Sequence, residues 1–193
     1  MKEAGIELMK NTKSVRDIDV NGKRVLIRVD FNVPMDEDFD ISDDTRIREA
    51  LPTINYCIDN HAKNIVLVSH LGRPKGRSAE FSLKHVIKRV ERLLGRDVGF
   101  AESIEEAALL QEQSPSGSVI LLENIRFCVG EEKNDKDLSQ KLATLCDIYV
   151  NDAFGTSHRA HSSTCGIAEF AKERVAGLLL KKEIDSFAKA MAN

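Results

Sequence analysis

Four short apolar runs in this sequence each deliver polar residues suited to holding an anion. Residues 25–29 lead to Asp30, Phe31 and Asn32, and residues 65–68 lead to Ser69, His70, Leu71, Gly72 and Arg73. Residues 119–122 lead to Glu123, Asn124, Ile125 and Arg126; residues 148–150 lead to Asn151 and Asp152, with His158, Arg159 and His161 shortly beyond. Arginine offers phosphate or carboxylate a planar fork of two parallel hydrogen bonds. Arg73, Arg126 and Arg159 could therefore surround a small multiply charged anion, although any one alone would read as a solvated charge. Asp30 is a carboxylate among cations. It could neutralise Arg28, two residues away on the same strand face, or accept a hydrogen bond from a substrate hydroxyl with Asn32 beside it. His158 and His161 form a supporting basic edge. Their spacing could suit a metal, but no Cys or acidic neighbour completes a site, so no metal is expected and donation to an anion or orientation of the arginines fits better.

Other chemistries find no support. The stretch from Gly72 to Ser78 resembles a phosphate loop only faintly, because its glycines are one residue too close and Arg replaces the required Lys. The dinucleotide fingerprint G-x-G-x-x-G is absent, and no Ser or Cys lies in a nucleophile-elbow context.

The anion-holding residues meet only if the apolar runs are parallel strands, since open α/β sheets bind ligands at the carboxyl edge. The runs are β-branched and short, as strands buried on both faces are. Residues 98–100 suggest a further strand. Between the runs lie segments with helical spacing: residues 45–61, with Ile47, Leu51, Ile54 and Ile58 on one face after caps at Asp43 and Asp44, and a kink or break at Pro52. Residues 82–94 form a second, stopped by Gly95; residues 104–113 a third, before the turn at 114–117; residues 135–146 a fourth. Alternating strand and helix predicts a three-layer, doubly wound, Rossmann-like α/β domain with a parallel sheet. Leu180, Ile184, Phe187, Ala188 and Met191 share one face of a last helix over residues 178–191, either docked on its own domain or leading into a second one.

The 193 residues suit one domain plus attachments. With 42% hydrophobic and 31% charged residues the chain reads as globular, and no apolar run is long enough to span a bilayer. A net charge of -3 argues against a protein built to coat nucleic acid. Cys57, Cys128, Cys146 and Cys165 form no C-x-x-C pair, and the first ten residues lack the apolar core of a signal peptide, so reduced thiols in a cytoplasm are expected.

Four blocks carry a family resemblance: KRVLIRVDFNVPMDEDFDISDDTRIR at 23–48, SHLGRPKG at 69–76, LLENIRF at 121–127 with GEEKND at 130–135, and YVNDAFGTSHRAHSST at 149–164. Together they closely resemble the N-terminal half of phosphoglycerate kinases. The resemblance implies a 3-phosphoglycerate-binding domain over residues 14–176, an interdomain helix over 177–193 and an extension over 1–13, with Met9 as an alternative start. It implies substrate contacts at Asp30, Phe31, Asn32, Arg46, His70, Leu71, Gly72, Arg73, Arg126 and Arg159. It also makes Arg46 the arginine that stabilises the phosphoryl group in transit, Lys182 a catalytic lysine near that group, and Lys189 a nucleotide-side lysine. The family reaction moves a phosphoryl group between 1,3-bisphosphoglycerate and ADP, giving 3-phosphoglycerate and ATP. Mg-ATP or Mg-ADP would be bound mainly by a nucleotide-binding C-terminal domain that this sequence lacks, so no cofactor is expected here, and the chain is expected to be inactive alone. A monomeric complete enzyme without nucleic-acid or membrane partners follows from the same resemblance. The competing expectation is a stand-alone module that binds a polyanion without catalysis.

Overall fold

The computed structural model describes residues 11–156 and 159–192. The expected extension therefore lies, up to residue 10, outside the described residues. Six strands form one parallel sheet: β1 (Arg24–Arg28), β2 (Asn64–Val68), β3 (Val98–Ala101), β4 (Ser118–Leu122), β5 (Ile148–Asn151) and β6 (Glu173–Ala176), in the order β3-β4-β2-β1-β5-β6. Register fixes which residues leave the sheet together. Arg28 lies opposite both Val68 and Asn151, and Leu67 lies opposite Leu121. The segments beginning at Asp30, Ser69, Glu123 and Asp152 consequently emerge at one carboxyl edge, as the apolar runs require.

Alternation along the strands feeds two cores. Ile27, Ile65, Leu67, Leu121 and Val150 pack on one face with Ile47, Ile54 and Cys57 of helix α1 (Thr45–Asp59) and Val86 and Val90 of helix α2 (Lys84–Leu94). Leu26, Val66, Val68, Ile120 and Tyr149 pack on the other with Ala107 of α3 (Ile104–Gln113), Leu138 and Leu142 of α4 (Lys136–Ala143) and Ile167 of α5 (Ile167–Phe170). This is the three-layer α/β architecture expected.

Three local differences have physical causes. Helix α1 continues through Pro52 as one element. Pro52 and Arg48 are both exposed, so the Arg48 carbonyl deprived of its partner faces water. Helix α4 stops at Ala143, three residues early, because the Leu145 and Cys146 amides tighten onto the carbonyls of Leu142 and Ala143. Strand β6 escaped the sequence reading: its Glu173 and Arg174 are exposed, and only pairing with β5 makes this edge segment a strand. The last helix, α6 (Leu178–Ala192), starts against its own domain, with Leu178 N–H donating to Thr53 Oγ1 at 2.9 Å. No helix among the described residues is long and apolar enough to cross a membrane.

Candidate functional site

At the carboxyl edge lies an open cavity of about 300 Å³ lined by Asp30, Asn32, Arg46, His70, Gly72, Arg73, Arg126, Gly155, Thr156 and Arg159. The structure thus brings together eight of the residues expected there and adds Gly155 and Thr156, which no composition or spacing signal marked. Asp30 holds Arg46 of α1 at 2.8 Å rather than Arg28. Asn32 closes the neighbouring turn, its side-chain oxygen accepting from Gly72 N–H at 2.7 Å. Gly72 has φ of 62°, and a Cβ there would fall 2.3 Å from the Phe81 ring, so the turn requires glycine. Arg126 donates from Nη1 to the Gly72 carbonyl and lies 3.7 Å from Glu132. Its Nε, the atom nearest Glu132, is buried and has no hydrogen-bond partner among the described residues. Arg73 is exposed and Arg159 half-buried, leaving both guanidinium groups accessible to a ligand.

The flanking residues frame this cavity. Buried Glu123 accepts from Ser82 Oγ and from the amides of Leu83 and Asn124, fixing the start of α2. Asn124 clamps the turn, accepting from Leu71 N–H and donating to the carbonyls of Leu71 and Phe81. Phe31 and Leu71 are buried in the core and do not line the cavity. Their backbone amides are engaged by Ser69 Oγ and Asn124 Oδ1 respectively. Lys182 and Lys189 are exposed on α6 and line no part of the cavity.

Electrostatics revise the basic edge. Burial, and then the positive charges of Arg28, Arg126, Arg46 and Arg159, push the His70 pKa down to about 2. Burial and neighbouring Arg126 lower that of His161 as well. Both rings are neutral at pH 7, because a charged imidazole would be desolvated beside fixed cations. The positive charge is therefore carried by arginine, not histidine; His158 lies outside the described residues. Among the described residues no group of three His, Cys, Asp or Glu side chains could hold a metal ion. Accessible guanidinium groups lining the same cavity as a carboxylate and an amide suit a small ligand that is both multiply anionic and hydroxylated.

Comparisons with known proteins identify the family. A profile described as phosphoglycerate kinase matches residues 15–193. The phosphoglycerate kinase of Helicobacter hepaticus is 86% identical over 193 residues, which are 100% of this chain and 48% of that protein. The cytosolic phosphoglycerate kinase of Nicotiana tabacum is 52% identical over 186 residues, 95% of this chain and 46% of that protein. The structure of phosphoglycerate kinase from Coxiella burnetii superposes with a TM-score of 0.84 at 38% identity, covering 93% of this chain and 45% of that one. The chain thus spans about half the length of the curated relatives it matches. From the profile match and these identities, this chain belongs to the phosphoglycerate kinase family.

Proposed function

We propose that this chain supplies the 3-phosphoglycerate-binding half of a phosphoglycerate kinase, over residues 14–176. The observation that carries the reading is the cavity that Arg46, Arg73, Arg126 and Arg159 line together with Asp30 and Asn32. In this reading the arginines hold the ligand's phosphate and carboxylate, while Asp30 and Asn32 face its hydroxyl. The acceptor in the ATP-consuming direction is a carboxylate with a pKa of roughly 3.5, ionised at neutral pH. No general base is then required, which fits an arginine-lined site with neutral histidines, because phosphoryl transfer is mostly positioning and charge stabilisation. Arg46 would neutralise the phosphoryl group in transit, and substrate would take over part of the interaction that Asp30 now provides.

Helix α6 would lead toward the nucleotide-binding half, carrying Lys182 near the transferred group and Lys189 on the nucleotide side. Mg-ATP or Mg-ADP, which supplies or accepts the phosphoryl group, is assigned to the length of the relatives that this chain does not span. A cytoplasmic setting suits the four unpaired thiols, and the complete enzyme is proposed to be a monomer.

Calorimetry tests the assignment. Saturable 3-phosphoglycerate binding is expected, falling at least tenfold in Arg73→Ala and in Arg159→Ala. Salt-sensitive oligonucleotide binding with no 3-phosphoglycerate binding would replace this reading with a polyanion-binding module. The 193-residue chain is expected to form no ATP alone and to do so when the complementary half is added in trans; turnover by the chain alone would overturn that part.

A further inference from the structure

Behind the cavity lies a buried polar chain that the proposed reaction does not use. Arg28, at the end of β1, is 1% exposed. Its Nε donates to Ser163 Oγ at 2.8 Å, its Nη1 to the Val29 carbonyl, and its Nη2 lies 3.3 Å from His70 Nδ1. Ser163 in turn donates from Oγ to Glu131 Oε1 at 2.5 Å, and its amide to Glu131 Oε2 at 2.9 Å. Glu131 is also 1% exposed. The Ser163 hydroxyl therefore bridges a buried cation and a buried carboxylate. Tyr149 Oη anchors the same turn by donating to the Ser163 carbonyl at 2.9 Å, and the wide turn over residues 162–166 closes on the His161 carbonyl.

We propose that Arg28 is a positioning residue that fixes His70 in the tautomer carrying its proton on Nε2, so that the ring presents a neutral N–H donor to the anion cavity. The reason is a one-way constraint. A guanidinium has donors and no acceptor, so the His70 nitrogen facing it must offer a lone pair. That places the single ring proton on the opposite nitrogen, and His70 lines the cavity. A free surface histidine would interchange tautomers or take a second proton. Here the donor's direction is set before any ligand arrives, and no rearrangement is needed on binding. Glu131 and Ser163 hold Arg28 in place, since an isolated guanidinium at this depth would be costly. The donor role rests on the substrate-site reading above; the tautomer does not.

Nitrogen-15 NMR of histidine-labelled protein tests both parts, with the His70 resonances identified by their loss in His70→Gln. At pH 7 without ligand, a protonated-type Nε2 signal and an unprotonated-type Nδ1 signal are expected; the opposite pattern, a mixture or an imidazolium would overturn the proposal. In Arg28→Met/Glu131→Gln, which removes both buried charges together, His70 is expected to become a tautomer mixture or to titrate. Retention of a pure Nε2–H form would show that Arg28 does not set it. Should that variant fail to fold, the wild-type spectrum alone decides the proposal, a pure Nε2–H form supporting it and any other pattern overturning it. Added 3-phosphoglycerate is expected to shift the His70 Nε2–H signal. Saturable 3-phosphoglycerate binding seen by calorimetry without that shift would overturn the donor role. No binding by calorimetry counts against the proposed function and leaves the ligand-free result standing.

Discussion

His70 and Arg46 respond to the same field in opposite ways. An arginine stays charged at any pH the fold tolerates, whereas buried His70 is held neutral down to about pH 2. The linkage sign follows. Above the unfolded value of 6.5 neither state binds a proton. Below it only the unfolded chain does, so stability is lost at about 1.4 kcal/mol per pH unit as pH falls. Urea titrations at pH 7, 5.5 and 4.5 are expected to show a shallower decline for His70→Gln than for the wild type; parallel curves would contradict it. Arg46 is half-exposed and holds only Asp30, so Arg46→Ala is expected to leave the unfolding midpoint nearly unchanged. In an assay reconstituted with the complementary half, the same variant is expected to lower kcat by two orders of magnitude or more, about 3 kcal/mol of transition-state stabilisation. Arg73, Arg126 and Arg159 were legible because their side-chain chemistry and place after a strand announce anion binding, whereas Arg46, on a helix, came from the family resemblance alone. That His161 carries no charge on this edge was not legible, because protonation depends on burial, which spacing does not reveal.

At the level of elements, the junction of β5 and α6 is closely packed. Asp152, completely buried, accepts from the amides of Leu179 and Leu180 at 3.0 and 3.1 Å and so caps α6. Gly177 passes so close that a Cβ would lie 2.1 Å from Asp152 Oδ1. Gly177→Ala is therefore expected to cost about 1–3 kcal/mol by overpacking, read as a lowered urea midpoint. Burial also raises the Asp152 pKa to about 6, against the lowering effect of its hydrogen bonds with Thr53 and the Leu180 and Leu179 amides. Here the sign is reversed from that of His70. As pH falls from about 6 towards 3.8 the folded carboxyl takes up a proton before the unfolded one, which adds stability of up to about 3 kcal/mol. Asp152→Asn lacks that gain, so its stability relative to wild type is expected to fall between pH 7 and pH 4; a constant difference would sink the assignment. Sequence marked Asp152 only as one more polar strand exit. Its role as a cap depends on where α6 begins, which β6 decides by pairing with β5.

For the molecule as a whole, two cores on opposite sheet faces seal the thiols unequally. Cys57 and Cys146 are buried with pKa values pushed up to about 12, while Cys165 is exposed. Alkylation followed by mass spectrometry is expected to modify Cys165 first, with Cys57 and Cys146 reacting only at the rate of global opening. Early modification of Cys57 or Cys146 would mean that one core opens independently.

The sequence by itself determined the parallel sheet, because β-branched runs separated by amphipathic segments have few ways to bury both faces, and it pointed to Arg73, Arg126 and Arg159, which line one cavity. It also determined the family, through long blocks in order. Tertiary structure decided the rest: that Asp30 pairs with Arg46 and not Arg28, that Phe31 and Leu71 turn into the core, that His70 and His161 are neutral, and that Arg28, Ser163 and Glu131 meet behind the cavity. Glu131 and Ser163 are 32 residues apart, and Arg28 and Ser163 are 135 apart. Such contacts follow from the register of the sheet and the desolvation it imposes, physical quantities that belong to the packed molecule and to no segment of the chain.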